Sequence, residues 1–217
     1  MRPKVVIWGA AGQAMVVADI VRLRGELELV GFLDDVSPER AGTTFCQAPI
    51  LGGREQLDRL LEDGVRFLIL GFGKSAARLA LAQLVRSSGY QLATAIHPQA
   101  TVAAGVPIGA GTVIKAGAVV DPGVTIGEQV ILGSCASIGH ESVIEDGVRI
   151  NAGARVSGNV TVGQATMIGA GVAIREGVRV GGYSLIGAGA VVVRDIPDRV
   201  VAYGVPARVM RAITVDD

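Results

Sequence analysis

The chain has 217 residues, 50% of them hydrophobic and only 18% charged, which excludes a disordered chain and leaves room for one large core or two small ones. Its 20 basic residues balance 20 acidic ones, so no electrostatic footprint points to DNA, RNA or an anionic membrane surface. Two cysteines, Cys46 and Cys135, make no disulfide framework and predict a reducing, cytoplasmic setting. The opening MRPKVVIWGAAGQA holds no apolar run of signal-peptide or membrane-span length. Glycine numbers 31, about twice its usual ~7% share, while aromatics are scarce. That combination predicts many tight corners around a thin aliphatic core.

Residues 1–98 alternate between strand and helix. The run KVVIWG (4–9) reads as a buried parallel strand. Residues 13–24 have a helical period, and 27–33 form a second strand closed by Asp34 and Asp35. An amphipathic helix is predicted over 54–63, ended by Gly64, and a third strand over 66–70. Residues 75–88 form a helix stopped by Gly89, and 91–96 a fourth strand ended by His97 and Pro98. The alternation implies a small parallel sheet with right-handed crossovers, a Rossmann-like α/β domain. The loop Gly9-Ala10-Ala11-Gly12 lacks the full G-x-G-x-x-G pattern. It is either a generic strand-to-helix turn or a phosphate-facing helix N-terminus. Asp34 and Asp35 end the second strand, where a carboxylate can meet a ribose or base, and Gly73 is placed at the same sheet edge.

From residue 99 the pattern changes. Every sixth residue from Val102 to Val192 is Val, Ile or Leu, without interruption. The residue four places later is Ala, Ser, Thr or Val at every step but the last, Ile196. Glycine often follows the aliphatic residue, as at Gly109, Gly127, Gly139, Gly169 and Gly187, and is expected to relax the turn there. A period of six is neither helical nor a plain strand; it is a hexapeptide β-helix repeat. Three hexads make a triangular coil, so residues 18 apart stack. Residues 195–211 break the period and are expected to cap the open end. The fold class is therefore a Rossmann-like α/β domain (1–98) followed by a parallel β-helix (99–217).

The stretches GAAG (9–12), GFLDD (31–35), AIHPQATV (95–102), SIGHESVI (137–144), GARVSGNVTVG (153–163), LIGAGAVVVRDIPD (185–198) and YGVPARV (203–209) carry a resemblance. The chain is similar to the hexapeptide-repeat sugar O-acyltransferase or sialic acid O-acetyltransferase family. Within it, the similarity is to bacterial N-acetyltransferases of nucleotide-linked amino-sugars. The resemblance implies a left-handed β-helix, a homotrimer, acetyl-CoA as co-substrate and a nucleotide-sugar acceptor in surface glycan synthesis.

Only two histidines occur, His97 and His140. His97 reads as a strand-ending junction residue. His140 falls at a hexad corner, where a side chain points outward, and Glu141 follows it. Acetyl transfer to an amine needs a base, and an imidazole with its ordinary pKa of about 6.5 serves at neutral pH. A carboxylate on the other ring nitrogen fixes the tautomer. The resemblance makes His140 the general base, Glu141 its partner, and Gly158, one coil along, the oxyanion N–H donor. Three metal-ligating histidines, as in hexapeptide-fold carbonic anhydrases, are not available, so no metal is expected. Cys135 offers a covalent alternative, but no family role maps onto it.

The resemblance further places the nucleotide at Ala11, Gly12, Gln13, Asp34, Asp35 and Gly73, and CoA at Arg149, Ala170 and Ala188. Arg194 and Arg208 are candidate partners for its phosphates. Departures from the family pattern fall at Gln13, where His is usual, and at Gly73-Lys74-Ser75, Gly133 and Arg149. Two other readings stay open: O-acetylation of sialic acid or another sugar hydroxyl, and a catalytically silent sugar-nucleotide-binding scaffold.

Overall fold

The structure, a computed structural model, describes residues 2–214. The chain divides between Pro98 and Gln99 into two compact units. Among the described residues no helix is long and apolar enough to cross a membrane.

The first unit contains β1 (Lys4–Trp8), α1 (Gly12–Arg24), β2 (Glu28–Leu33), β3 (Thr44–Phe45), β4 (Ala48–Gly52), α2 (Leu57–Glu62), β5 (Phe67–Leu70), α3 (Ser75–Ser87) and β6 (Gln91–Leu92). The sheet order is β3-β4-β2-β1-β5-β6. All neighbours are parallel except the β3–β4 hairpin. Val5, Val6 and Ile7 of β1 and Leu68 and Ile69 of β5 are fully buried, as befits strands covered on both faces. Helix α1 stops at Gly25, whose left-handed backbone returns its N–H to the Val21 carbonyl.

Four features differ from the sequence expectation. The β3–β4 hairpin carries none of the usual turn residues: its bend is Cys46-Gln47, both at positive φ, where Asn-Gly is the common signal. Residues 54–63 split into a 3-10 turn (Arg54–Gln56) and the short α2. The fourth strand breaks after Leu92, and Ala95–Ile96 is a separate strand. The third strand ends at Leu70, so Gly73 lies beyond it in the loop that enters α3.

In the second unit nearly every hexad contributes a two-residue strand, as at Ser137–Ile138, Val143–Ile144 and Arg149–Ile150, while Ile108 makes a single bridge to Ile126. Partners are 18 residues apart and parallel: Val119 pairs with Ser137, Val143 with Thr161 and Ile131 with Arg149. Three hexads thus close one coil, and the coils stack into three sheets. The aliphatic position fills the interior, with Ile114, Leu132, Ile150, Ile168 and Ile186 at 0% exposure. Four places on, small side chains pack beside the corners. Where that position is Thr or Ser, the hydroxyl stitches coils together. Ser142 Oγ donates to the Ser157 carbonyl and accepts the Val160 N–H, and Thr166 and Ser184 repeat the pattern.

The corner glycines do two separate jobs, which corrects the expectation that glycine after the aliphatic residue relaxes the turn. The left-handed residue is the third after the aliphatic one, with φ between 54° and 77° from Gly105 to Gly189. Glycine fills nine of these positions, and Gln129, Cys135, Glu141, Asn159, Ala165 and Tyr183 fill the others. Glycine directly after the aliphatic residue is required by close approach instead. A Cβ on Gly133, Gly139, Gly163 or Gly169 would stand 2.5 Å from a backbone nitrogen of the next coil.

The final coil is covered by an antiparallel hairpin, Val200–Gly204 with Ala207–Ala212, whose first strand adds parallel to Leu185–Ile186. Val200, Val201 and Ala202 bury against the prism.

These two glycine roles predict different mutational costs. Gly169→Ala drives a methyl into the next coil and should cost about 2–3 kcal/mol. Gly153→Asn has open space around it and adopts a conformation Asn159 already holds, so it should cost under about 1 kcal/mol. Urea unfolding followed by circular dichroism measures both; equal costs would refute the assignment.

Candidate active site

His140 leaves the strand Ser137–Ile138 at a prism corner, with its side chain 53% exposed. Glu141 takes the left-handed corner conformation at φ 57°, a position most hexads give to glycine. Its carboxylate Oε2 lies 3.2 Å from His140 Nδ1. An ion pair this exposed adds little stability, about 0–1 kcal/mol. What the contact supplies is orientation: with Nδ1–H donated to Glu141, Nε2 carries the lone pair.

Gly158 sits one coil further at the same corner. A Cβ there would meet His140 Nε2 at 2.5 Å and Cε1 at 2.6 Å. Glycine is therefore dictated by the imidazole lying over it. The Gly158 N–H meets no acceptor among the described residues. At another corner three of the equivalent N–H groups are taken: Asp146 accepts that of Glu128, Glu145 that of Gln164, and Asp198 that of Gly182. The His140 corner thus combines a base with an uncommitted backbone donor.

Arg194 stands on this corner too, exposed, three coils beyond His140. The other residues expected to contact CoA lie elsewhere. Ala170 and Ala188 are exposed on a different corner, one coil apart, with the Gly189 N–H bonded to the Ala170 carbonyl. Arg149 lies on the face leading into that second corner and donates from Nε to Asn151 Oδ1 at 2.9 Å. Burial, and then the nearby Arg149 charge, push the Lys115 ammonium pKa down. Arg208 is on the outer strand of the terminal hairpin. Cys135 belongs to the second corner as well, its sulfur over Gly117. One copy of the prism therefore separates the base from most of the expected CoA contacts. Among the described residues no group of three or more His, Cys, Asp or Glu is placed to hold a metal ion.

In the first unit the candidate residues gather at the C-terminal edge of the sheet. Chain order reverses between β1 and β5, the usual position of a ligand crevice in such sheets. The loop after β1 and the loop after β5 touch there. Gly9 has φ 123°, and its Cβ would lie 3.0 Å from the Gly71 carbonyl oxygen. A Cβ on Gly71 would collide with Ile7 and Ala14. Each loop enters a 13-residue helix, α1 behind Ala11 and α3 behind Lys74, and neither helix has a side-chain N-cap. The first-turn N–H groups are left for a ligand. Gln13 Nε2 is buried here without a hydrogen-bond partner.

Asp34 and Asp35 prove to be engaged internally. Asp34 is 7% exposed; Oδ1 accepts the N–H groups of Val36 and Ser37, and Oδ2 accepts Arg40 Nη1 at 3.0 Å. Asp35 takes the Arg54 N–H on Oδ1 and Arg54 Nε and Nη2 on Oδ2. The Arg54 guanidinium also lies over the Trp8 ring. These groups border an open concavity of about 410 Å³ lined by Asp34, Asp35, Pro38, Gly52, Gly53 and Glu55 among others, within the size range of small-molecule sites. The Gly53 N–H bonded to Glu55 holds its carboxyl below the usual range. On the other side of the crevice, Arg78 is 1% exposed on α3 and donates from Nη1 to the Gly73 carbonyl at 2.7 Å. Arg40, Arg54 and Arg78 went unnoticed in the sequence because no motif spacing marks them.

Comparisons with known proteins follow this geometry. Residues 4–85 match the PglD N-terminal domain family, and residues 141–176 match the bacterial transferase hexapeptide family of six repeats. UDP-N-acetylbacillosamine N-acetyltransferase of Bacillus subtilis is 35% identical over 111 residues, 51% of this chain and 50% of that protein. The chain thus matches about half the length of that curated relative. PerB from Caulobacter crescentus, solved with CoA and GDP-perosamine, is 32% identical with a TM-score of 0.91, over 96% of this chain and 97% of that one. The acetyltransferase domain of PglB from Neisseria gonorrhoeae, solved with acetyl coenzyme A, is 33% identical with a TM-score of 0.90, over 97% and 100%.

The contact between His140 and Gly158 yields a structural prediction. Gly158→Ala should leave the prism folded, because Gly158 is not in the left-handed region, but push the imidazole aside and break its bond to Glu141. Nitrogen-15 spectra of the histidine rings would read the change; an unmoved His140 signal would contradict the packing described.

Proposed function

The chain belongs to the hexapeptide-repeat acetyltransferases that carry a PglD-type N-terminal domain, with a left-handed parallel β-helix, and on that premise we propose that it moves an acetyl group from acetyl-CoA to the amine of a nucleotide-linked amino-sugar, feeding glycan biosynthesis. The observation that carries this reading is the His140 corner: an imidazole tethered through Nδ1, with Nε2 beside a glycine whose N–H is uncommitted.

The residues divide the work as follows. The neutral amine attacks the thioester carbonyl, forming the C–N bond and placing negative charge on oxygen. The Gly158 N–H donates to that oxyanion. His140 Nε2 takes the proton the nitrogen sheds, and Glu141 steadies the imidazolium. Collapse breaks the C–S bond, and the imidazolium returns the proton to the departing thiolate. In the first unit the helix N-termini behind Ala11-Gly12-Gln13 and Gly73-Lys74 receive the diphosphate, and the concavity beside Asp35 takes the nucleoside.

The assembly is a cyclic homotrimer. The base lies on one corner and Ala170, Ala188 and Arg149 on another, so a cleft holding both needs the base corner of one copy against the second corner of its neighbour. Arg194 and Arg208 then serve the CoA phosphates.

Turnover is tested by CoA release against a panel of UDP-, GDP- and dTDP-linked amino-sugars. His140→Ala should lower kcat by on the order of 10²–10⁴ with acetyl-CoA affinity retained, and Glu141→Ala should cost less. A near-normal kcat in His140→Ala removes His140 as base. Sugar binding without turnover would favour a silent scaffold. Sedimentation of a stable monomer at micromolar concentration would overturn the trimer.

A further inference from the structure

Asp34 sits at the sheet edge where a carboxylate would be expected to touch the ligand, yet both its oxygens are engaged. Its Oδ2 accepts Arg40 Nη1, and the same Nη1 donates to the Ala10 carbonyl at 2.9 Å. The guanidinium rests 5.4 Å from the Phe45 ring centroid, and Phe45 packs edge-on against Phe32 of β2. Arg40 itself closes a 3-10 turn, with its N–H bonded to the Ser37 carbonyl. The turn that Asp34 Oδ1 holds thus delivers the arginine, and the arginine reaches back to the loop after β1.

The peptide bond gives that contact a direction. A trans peptide sets the carbonyl of one residue antiparallel to the N–H of the next. Pinning the Ala10 carbonyl on Arg40 fixes the Ala11 N–H to point the opposite way. Ala11 is the extended residue that starts α1, and no side chain caps that helix. The orientation of the Ala11 N–H, which sits just ahead of the helix's own free N–H groups, therefore depends on one buried-carboxylate–arginine–carbonyl chain.

We infer that Arg40 is a positioning residue for the nucleotide's diphosphate, and that Asp34 acts through Arg40 without contacting the ligand. This rests on the nucleotide-sugar reading given above. The chain is economical: Asp34 orients Arg40, Arg40 orients the Ala10–Ala11 peptide, and that peptide with the Gly12 and Gln13 N–H groups meets the phosphate oxygens. A charged hydrogen bond lost from such a chain changes affinity by about 10- to 100-fold.

The test is steady-state kinetics of the full chain with whichever amino-sugar nucleotide of the UDP, GDP and dTDP panel it turns over. Wild type, Arg40→Ala, Asp34→Asn and the double variant are compared. Arg40→Ala should raise KM for the nucleotide sugar by about 10- to 100-fold while kcat at saturation and KM for acetyl-CoA stay within about twofold, the latter showing that the fold is intact. Asp34→Asn should raise the same KM less, and adding it to Arg40→Ala should change nothing further, since a residue acting only through another has no effect once that other is gone. Losses that multiply in the double variant mean that Asp34 meets the ligand itself, and overturn the inference. So does an Arg40→Ala KM within twofold of wild type. If Arg40→Ala does not fold, the conservative Arg40→Lys takes its place in the same cycle: a raised KM at retained kcat that Asp34→Asn does not add to upholds the inference, and an unchanged KM or losses that multiply overturn it. A wild-type chain that turns over no member of the panel overturns the functional reading as well as this one, whereas an active wild type with an indifferent Arg40 overturns this one alone.

Discussion

Backbone stacking at a fixed step of 18 residues is the interaction on which the second unit rests. Each coil places two-residue strands against those of the next, and glycines after the aliphatic positions let the corners approach closely. Buried hydroxyls of Thr112, Ser142, Thr166 and Ser184 bond to both a carbonyl and an N–H of the following coil. The interior is lined from three faces by stacked Val, Ile and Leu. The relation between His140 and Gly158 is a direct product of this step: the two are adjacent in space because they are 18 apart in sequence.

The same stacking sets what each corner presents. Backbone N–H groups just past the strands point outward and compete for acceptors. Where Asp146, Glu145 and Asp198 supply carboxylates, the donors are satisfied and the corner is a structural seam. At His140 an imidazole lies over Gly158, and the Gly158 N–H remains available. Glu141, the nearest acid, is turned by its left-handed backbone onto the ring. Any side chain at 158 would displace the base, since a Cβ there meets the imidazole at 2.5 Å.

Much of this was legible in the sequence because the repeat is strict. A period of six with an aliphatic residue at each step fixes the coil, the stack and the pairing of position 140 with 158 before any coordinates are consulted. The role of glycine was less legible, since both the close-approach and the left-handed positions read simply as Gly; Glu141 and Asn159 at φ 57° and 55° are what separate them. In the first unit the strands and helices followed from periodicity, but the β3–β4 hairpin did not, because Cys46-Gln47 carries no turn signal. Nor could Asp34 and Asp35 be seen as engaged residues. Their partners, Arg40 and Arg54, come from turns whose approach to the sheet edge is tertiary, and the buried Arg78 is hidden in an ordinary helical pattern for the same reason.

The strict step also constrains how the prism can change in length. Three hexads per turn make the coil a counting device with three phases. One hexad inserted between His140 and Gly158 would rotate everything after it by a third of a turn, and the glycine would arrive under a different edge. Three inserted hexads would restore the phase but leave a spare layer between base and glycine. The segment from His140 to Gly158 therefore admits no in-register insertion at all, while the coils on either side can grow or shrink by whole turns. A change of length compatible with the site therefore falls outside the layer that joins His140 to Gly158, or in an excursion that leaves a corner without entering the count.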